Sequence, residues 1–471
     1  MRLLLLVSAF NGLSQRVWCA LREAGHDVGV LLATTEQAIA GGVAASNPDL
    51  VLCPYLKERV PTQVWQRWRT VILHPGPVGD RGPSSLDWAL LEGATRWGVT
   101  ALGAIDELDA GPIWAHRTFD LPDPPVRKSA LYNGPVADAA VACAREVVAK
   151  AADPAFVPTP LAEARVEVPG ARLRPAVTQA DRAFDWADGT ERIVRRIRAS
   201  DGAPGVRAQV CGRTLLVFDA HPGAPAPGAA PGAVVAQRDH AVRVATGDAS
   251  VWIGHLKPPR EAPGPRVKLP ATTMLNRRLR GVPRTPRGWG ESGDGHAELQ
   301  YRRDGAVGWL TFDFYNGAMS SGHCRRMLAA LRHAAAQDTR VLVLVSGPET
   351  TSNGIHLNVI ESAADPAMTA WINIKAINAV CRAITANTRQ VTVAGYGGPA
   401  GAGGVMLALG ADVVTARGDI VLNPYYDIGL YGSELHTYTL PRRVGARTAR
   451  RLLEDKLPVG TAAALRLGLV D

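Results

Sequence analysis

Along its first third the chain alternates short apolar runs with stretches of mixed polarity. Arg2 to Ala9 predicts a strand, and Leu13 to Ala24 predicts a helix closed by Gly25. Val28 to Leu32 and Leu50 to Cys53 repeat the strand pattern with a helix between them, and Pro61 to Trp68 predicts a further helix. TVIL ahead of His74 reads as a buried strand. A Gly/Pro turn follows, and helical spacing resumes over Ser84 to Leu91. Strand and helix alternating at this spacing predict an α/β fold with an open, parallel, doubly wound sheet over residues 1–170.

Residues 154–175 are rich in Pro, Ala and Val and read as a linker. The text then changes to a capped helix ending in a Gly/Pro turn. Short strands follow at Thr214 to Asp219, Ala233 to Gln237, Ala241 to Thr246 and Val251 to Leu256. Their spacing predicts a small β-barrel within residues 171–260. A basic Pro/Gly segment over 261–297 reads either as a linker or as a stretch that reaches a CoA phosphate. From 298 to 471 a second architecture begins: a hairpin (LQYRRDGAVGWLTFDF), a helix over Gly322 to Ala336, a buried strand (VLVLVSG), a helix over Ala370 to Ile384, and a dense glycine cluster.

Composition narrows the function classes. At 471 residues the chain exceeds one core and predicts two or three domains. A net charge of +9 comes without a Lys/Arg block interleaved with aromatics. It suits anionic small molecules such as CoA or a folate glutamate tail, and no nucleic-acid partner is expected. The six cysteines form no CxxC pair, which predicts a reducing, cytoplasmic setting and no structural metal. MRLLLLVSAF is too short to span a bilayer and reads as the first buried strand, so no membrane partner is expected.

Two residues in the first domain stand where chemistry is placed in open sheets. His74 ends a strand and Asp109, in ELDAGPIW, ends an apolar segment with a Gly turn behind it. They read either as structural polar residues or as a base and the group that orients it. Gln15 and Arg16, in the loop after the first strand, face a ligand or form a solvated first turn. No GxGxxG follows that strand, which disfavours a nicotinamide enzyme.

HPGPVGDRGPSSLDWAL followed by GVTALGAIDELDAGPI resembles the 10-formyltetrahydrofolate-dependent formyltransferases. The resemblance covers roughly residues 1–260, including Asp-Trp before the helix and the later PGAVV and VATGD. It implies catalysis by His74 and Asp109, with Arg81 and Gly82 closing the loop as cofactor-binding candidates beside Gln15 and Arg16. Ile72 stands where that family has an Asn.

The glycine cluster AGYGGPAGAGGVML, between a strand and a helix, brings backbone N–H groups close to a ligand. With SNGIHLN it resembles the crotonase (enoyl-CoA hydratase/isomerase) superfamily over most of 298–471. The two oxyanion-hole amides of that family map onto Ile355 and Gly403, and such donors hold a thioester carbonyl whatever the side chain. The hydratase carboxylates map onto Met406 and Tyr425. Glu434 stands in a loop the family fills with glycines and reads as a solvated residue or, with Tyr425, as an acid/base pair. The chain stops at LGLVD, short of the terminal helices of that family. This predicts a C-terminally incomplete crotonase-like domain with exposed apolar surface beside residues 467–470.

The two halves in this order resemble the HypX/HoxX family of nickel–iron hydrogenase maturation proteins. The resemblance implies formyl transfer from 10-formyltetrahydrofolate to CoA, then decarbonylation of formyl-CoA to CO and CoA, with other maturation proteins receiving the CO. Two alternatives stay open at this level: an amine or sugar formyltransferase whose second half only binds acyl-CoA, and a non-catalytic scaffold that binds folate or CoA.

Overall fold

The computed structural model describes residues 1–286, 288–290, 295–426 and 429–471, so residues 287 and 291–294 of the expected basic linker lie outside the described residues. The chain divides into two compact units, Met1–Arg182 and Ala183–Asp471. Among the described residues no helix is long and apolar enough to cross a membrane.

The first unit is built on six strands: β1 (Arg2–Val7), β2 (Asp27–Leu32), β3 (Leu50–Tyr55), β4 (Thr70–His74), β5 (Arg96–Gly103) and β6 (Ile113–Asp120). They lie in the order β2-β1-β3-β4-β5-β6. Leu3 to Val7 are buried, as an interior strand covered by helices requires. The helix Gly12–Glu23 begins where the Asn11 side chain accepts from the Ser14 N–H, and it buries Leu13, Val17 and Leu21. The expectation of a parallel sheet holds for β2, β1, β3 and β4 only. β5 runs antiparallel to β4, and β6 antiparallel to β5. Only residues 104–112 separate β5 from β6, fewer than the dozen or so that a parallel crossover needs.

The expected linker over 154–175 is instead a strap on this unit. Thr159 exchanges backbone hydrogen bonds with Ile113, and Arg81 pairs with Arg172 and Arg174. Its Pro-rich composition reflects extended backbone laid against a sheet edge rather than freedom from the fold.

In the second unit, β7 (Val206–Val210), β8 (Arg213–Gly223), β9 (Val234–Arg238), β10 (Ala241–Ala245) and β11 (Ser250–Lys257) form a sheet in the order β7-β8-β11-β10-β9. A short strand, β12 (Leu269–Pro270), adds to β11. No pairing joins β7 to β9, so the expected barrel does not close. The helix Thr190–Ala199 covers the sheet with Ile193, Val194 and Ile197. Part of the expected linker is therefore structured: β12, then the helix Ala271–Leu275, whose Ala271 and Leu275 join this core.

The remaining strands are β13 (Leu299–Asp304), β14 (Val307–Phe312), β15 (Val341–Ser346), β16 (Val391–Tyr396), β17 (Ala400–Gly401), β18 (Val413–Ala416), β19 (Val421–Asn423) and β20 (Val459–Gly460). β13 and β14 form the expected hairpin, and β14, β15, β16 and β18 continue it as parallel neighbours. β17, β19 and β20 form a small second sheet. The helices Ser321–Ala335 and Pro366–Thr385 pack one face of the core. The expected apolar exposure beside residues 467–470 is not found at Leu469 and Val470. They are 0% and 4% exposed, and the Asp471 N–H and carboxylate close onto Val414.

Candidate active sites

In the first unit, β4 delivers His74 to the floor of a cavity of about 230 Å3. His74, Asp109, Gly82 and Ile72 line it, with Leu13, Cys53 and Tyr132 among its other walls. His74 is buried with a carboxylate at each ring nitrogen. Nε2 donates to Asp80 Oδ2 at 2.9 Å, and Nδ1 lies 3.4 Å from Asp109 Oδ1. Asp109 also accepts the Gly82 N–H at 3.1 Å and holds a left-handed backbone, φ 54°. Two glycines make the approach possible. A Cβ on Gly76 would lie 2.2 Å from Asp80 and 2.5 Å from His74 Nε2, and one on Gly82 would lie 2.2 Å from Arg174 O.

Sequence reasoning brought His74 and Asp109 together and missed Asp80, which is 2% exposed and six residues after the histidine. Asp80, not Asp109, makes the close contact that orients the ring. An acidic residue in a loop beside Arg81 reads as a solvated ion pair, and the Gly76 turn that folds it back has no signature of its own. Of the cofactor candidates, Gly82 lines the cavity, whereas Gln15, Arg16 and Arg81 are not among its lining residues. Gln15 donates to Phe10 O, Arg16 is buried against Asn133 O and Asp138, and Arg81 pairs with Glu107.

In the second unit, Ile355, Gly403, Tyr425 and Glu434 all line one cavity of about 230 Å3. Ile355 precedes the short helix Leu357–Glu361, which His356 caps by accepting the Val359 N–H on Nδ1. Gly403 sits in the turn Ala402–Val405, and Met406 behind it is fully buried. Glu434 is also fully buried and does not read as a solvated loop residue. A Cβ on Gly403 would lie 2.0 Å from Glu434 Oε2, and one on Gly354 would lie 3.2 Å from Oε1, so the carboxylate rests against the glycine turns. Desolvation raises its pKa from 4.5 to about 7, against hydrogen bonds from Ser433 and Tyr426 that lower it. Its Oε1 has no hydrogen-bond partner among the described residues.

The tyrosine that serves Glu434 is not the expected one. Tyr426 Oη donates to Glu434 Oε2 at 3.0 Å and lies 2.8 Å from Ser433 O, and burial beside that carboxylate raises its pKa. Tyr425 lines the cavity without that contact. Both tyrosines line the cavity, and only Tyr426 reaches the carboxylate.

A second polar group in this cavity comes from outside the 298–471 core. Lys268, just before β12, donates from Nζ to Tyr315 Oη at 2.8 Å and to Gly202 O at 2.9 Å. Tyr315 Oη donates in turn to Asp201, which is 1% exposed. His255 stacks on Tyr315 with ring centroids 4.3 Å apart. Sequence reasoning assigned none of these residues, because Lys268 lies in a basic segment that reads as solvated.

The formyl transferase C-terminal domain family matches residues 176–265, and the enoyl-CoA hydratase/isomerase family matches residues 305–471. The chain is 45% identical to the hydrogenase maturation factor HoxX of Bradyrhizobium diazoefficiens over 477 residues, covering all of this chain and 81% of that protein. It is 40% identical, with a TM-score of 0.95, to a crystal structure of HypX from Aquifex aeolicus in complex with tetrahydrofolic acid, over all of this chain and 82% of that one. Over 44% of its length it is 26% identical to the cytosolic 10-formyltetrahydrofolate dehydrogenase of Mus musculus.

Proposed function

The chain belongs to the HoxX/HypX family of hydrogenase maturation factors, and from that membership and the two sites we propose that it makes carbon monoxide in two steps. The first unit transfers a formyl group from 10-formyltetrahydrofolate to the thiol of CoA. The second unit splits formyl-CoA into CO and CoA, and hydrogenase maturation partners receive the CO in the cytoplasm.

The tetrahydrofolic acid bound to the HypX relative supports the donor assignment. His74 and Asp109 act on the reacting formyl group, with Asp80 holding the imidazole. Ile72 leaves the site without the family's amide side chain. A thiol, which ionises near 8.5, needs less help to become a nucleophile than an ammonium group does.

The observation that carries the second step is Glu434. A hydratase-type site has lost both of its usual carboxylates and has gained a buried one, poised near pH 7, beside the amide that grips a thioester carbonyl. With the N–H groups of Ile355 and Gly403 on the carbonyl oxygen, Glu434 is placed to take the formyl proton. Tyr426 holds Glu434 in place.

Incubating the chain with carbonyl-labelled 10-formyltetrahydrofolate and CoA tests this reading. Labelled CO is the expected product. A formylated amine would instead support an amine formyltransferase with an acyl-CoA-binding second half, and no turnover with retained binding would support a scaffold.

A further inference from the structure

We propose that Lys268 is the acid that protonates the CoA sulfur as formyl-CoA breaks, acting in the same cavity as the carboxylate that takes the formyl proton. The proposal rests on the decarbonylation reading above. Formyl-CoA carries one hydrogen on its carbonyl carbon. When Glu434 removes it as a proton, the C–H electrons become the carbon lone pair of CO. The C–S electrons leave on sulfur, and sulfur takes a proton from the Lys268 ammonium. Passage of the proton from Glu434 to the Lys268 amine restores both groups, so formyl-CoA becomes CO and CoA with nothing added.

The geometry favours Lys268 for this part. It lines the same cavity as Ile355, Gly403 and Glu434. Tyr315 Oη and Gly202 O take two of the three N–H bonds of the ammonium, which leaves one for the cavity. The faces of Phe218 and Tyr315, with ring centroids 3.9 and 4.9 Å from Nζ, strip water from the cation.

Burial pushes its pKa down to about 8, close to that of a thiol. Asp201, Asp219 and Glu349 oppose that shift and Lys257 adds to it. No other lysine or arginine is among the described residues that line the cavity. Burial disfavours the protonated form of the two lining histidines, the form that could donate. Burial lowers the pKa of both, that of His356 to about 3, and the Val359 N–H occupies Nδ1 of His356.

The test supplies formyl-CoA directly to the full chain, which bypasses the first unit, and follows CO release and formyl-CoA binding across pH. The wild-type rate is expected to fall below about pH 7 as Glu434 is protonated and above about pH 8 as Lys268 loses its proton. Lys268→Met should slow CO release roughly 100-fold and abolish the alkaline fall, while binding stays within about threefold. Lys268→Arg keeps the charge, the hydrogen bonds and the fold but is too weak an acid, so it should fail in the same way. If the wild-type chain binds formyl-CoA and releases no CO, the decarbonylation reading fails and this proposal with it. If the wild type releases CO and either variant keeps both the rate and the alkaline fall, this proposal alone is overturned.

Discussion

Gly403→Ala separates the two groups that Gly403 brings together, its own N–H and the Glu434 carboxylate. The added methyl leaves the N–H in place. It would lie 2.0 Å from Glu434 Oε2 and 2.3 Å from Cδ, whereas ordinary contact begins at 3.4 Å, so the carboxylate must retreat by about 1.4 Å. Glu434 cannot do so freely, because Ser433 and Tyr426 hold it at 2.5 and 3.0 Å. Weakening one such charge-assisted bond costs about 2 kcal/mol, which for a unit of this size lowers the melting temperature by roughly 4–8 °C. A reacting group displaced by more than about 1 Å loses on the order of 100-fold in rate. The expected result is therefore a folded variant that binds formyl-CoA, transfers formyl groups at the wild-type rate and releases CO about 100-fold more slowly. The assay is labelled CO from added formyl-CoA, with thioester formation from 10-formyltetrahydrofolate measured in parallel. CO release at the wild-type rate would show that the position of Glu434 does not govern the second step.

Three further outcomes follow from the same geometry. Asp80→Asn keeps the shape beside His74 and removes the charge, and should slow formyl transfer roughly 100-fold in the absorbance assay for tetrahydrofolate; an unchanged rate would remove Asp80 from the site. The folded chain holds the Glu434 proton more tightly than the unfolded chain, so stability is lost as pH rises from about 4.5 to about 7. Glu434→Gln escapes this loss and should be more stable than the wild type by up to about 3 kcal/mol at pH 8, but not near pH 4.5, in urea titrations. A gain equal at both pH values would contradict the raised pKa. Tyr426→Phe removes a hydrogen bond that favours the ionised carboxylate, so the acid limb of CO release should move to higher pH, while Tyr425→Phe should leave it in place.

The parts of the fold that were legible in the sequence are those governed by local spacing. The helix expected at Leu13 to Ala24 occupies Gly12–Glu23, and the four strands expected after position 213 lie within a residue or a few of β8 to β11. Strand direction was not legible, because an apolar run carries no arrow: β5 and β6 reverse, and the second sheet fails to close for want of a β7–β9 pairing. The short strand β7 went unseen because its exposed Arg207 and Gln209 interrupt the apolar run. At the sites, motif spacing brought out His74, Asp109, Ile355, Gly403 and Glu434. The contacts of Asp80, Tyr426 and Lys268 were missed because they depend on where a turn folds back, on which of two adjacent tyrosines reaches the buried carboxylate, and on what a basic segment packs against.

Cys53, in β3, lines the His74 cavity and is 1% exposed. Desolvation pushes its thiol up to about 12, so at neutral pH it holds its proton almost completely. Since a thiolate is the nucleophilic form of cysteine, this buried sulfur is a weak competitor for a formyl group under the proposed transfer to CoA. The desolvation around β3 that packs the sheet thereby also holds the resident sulfur in its unreactive, protonated form.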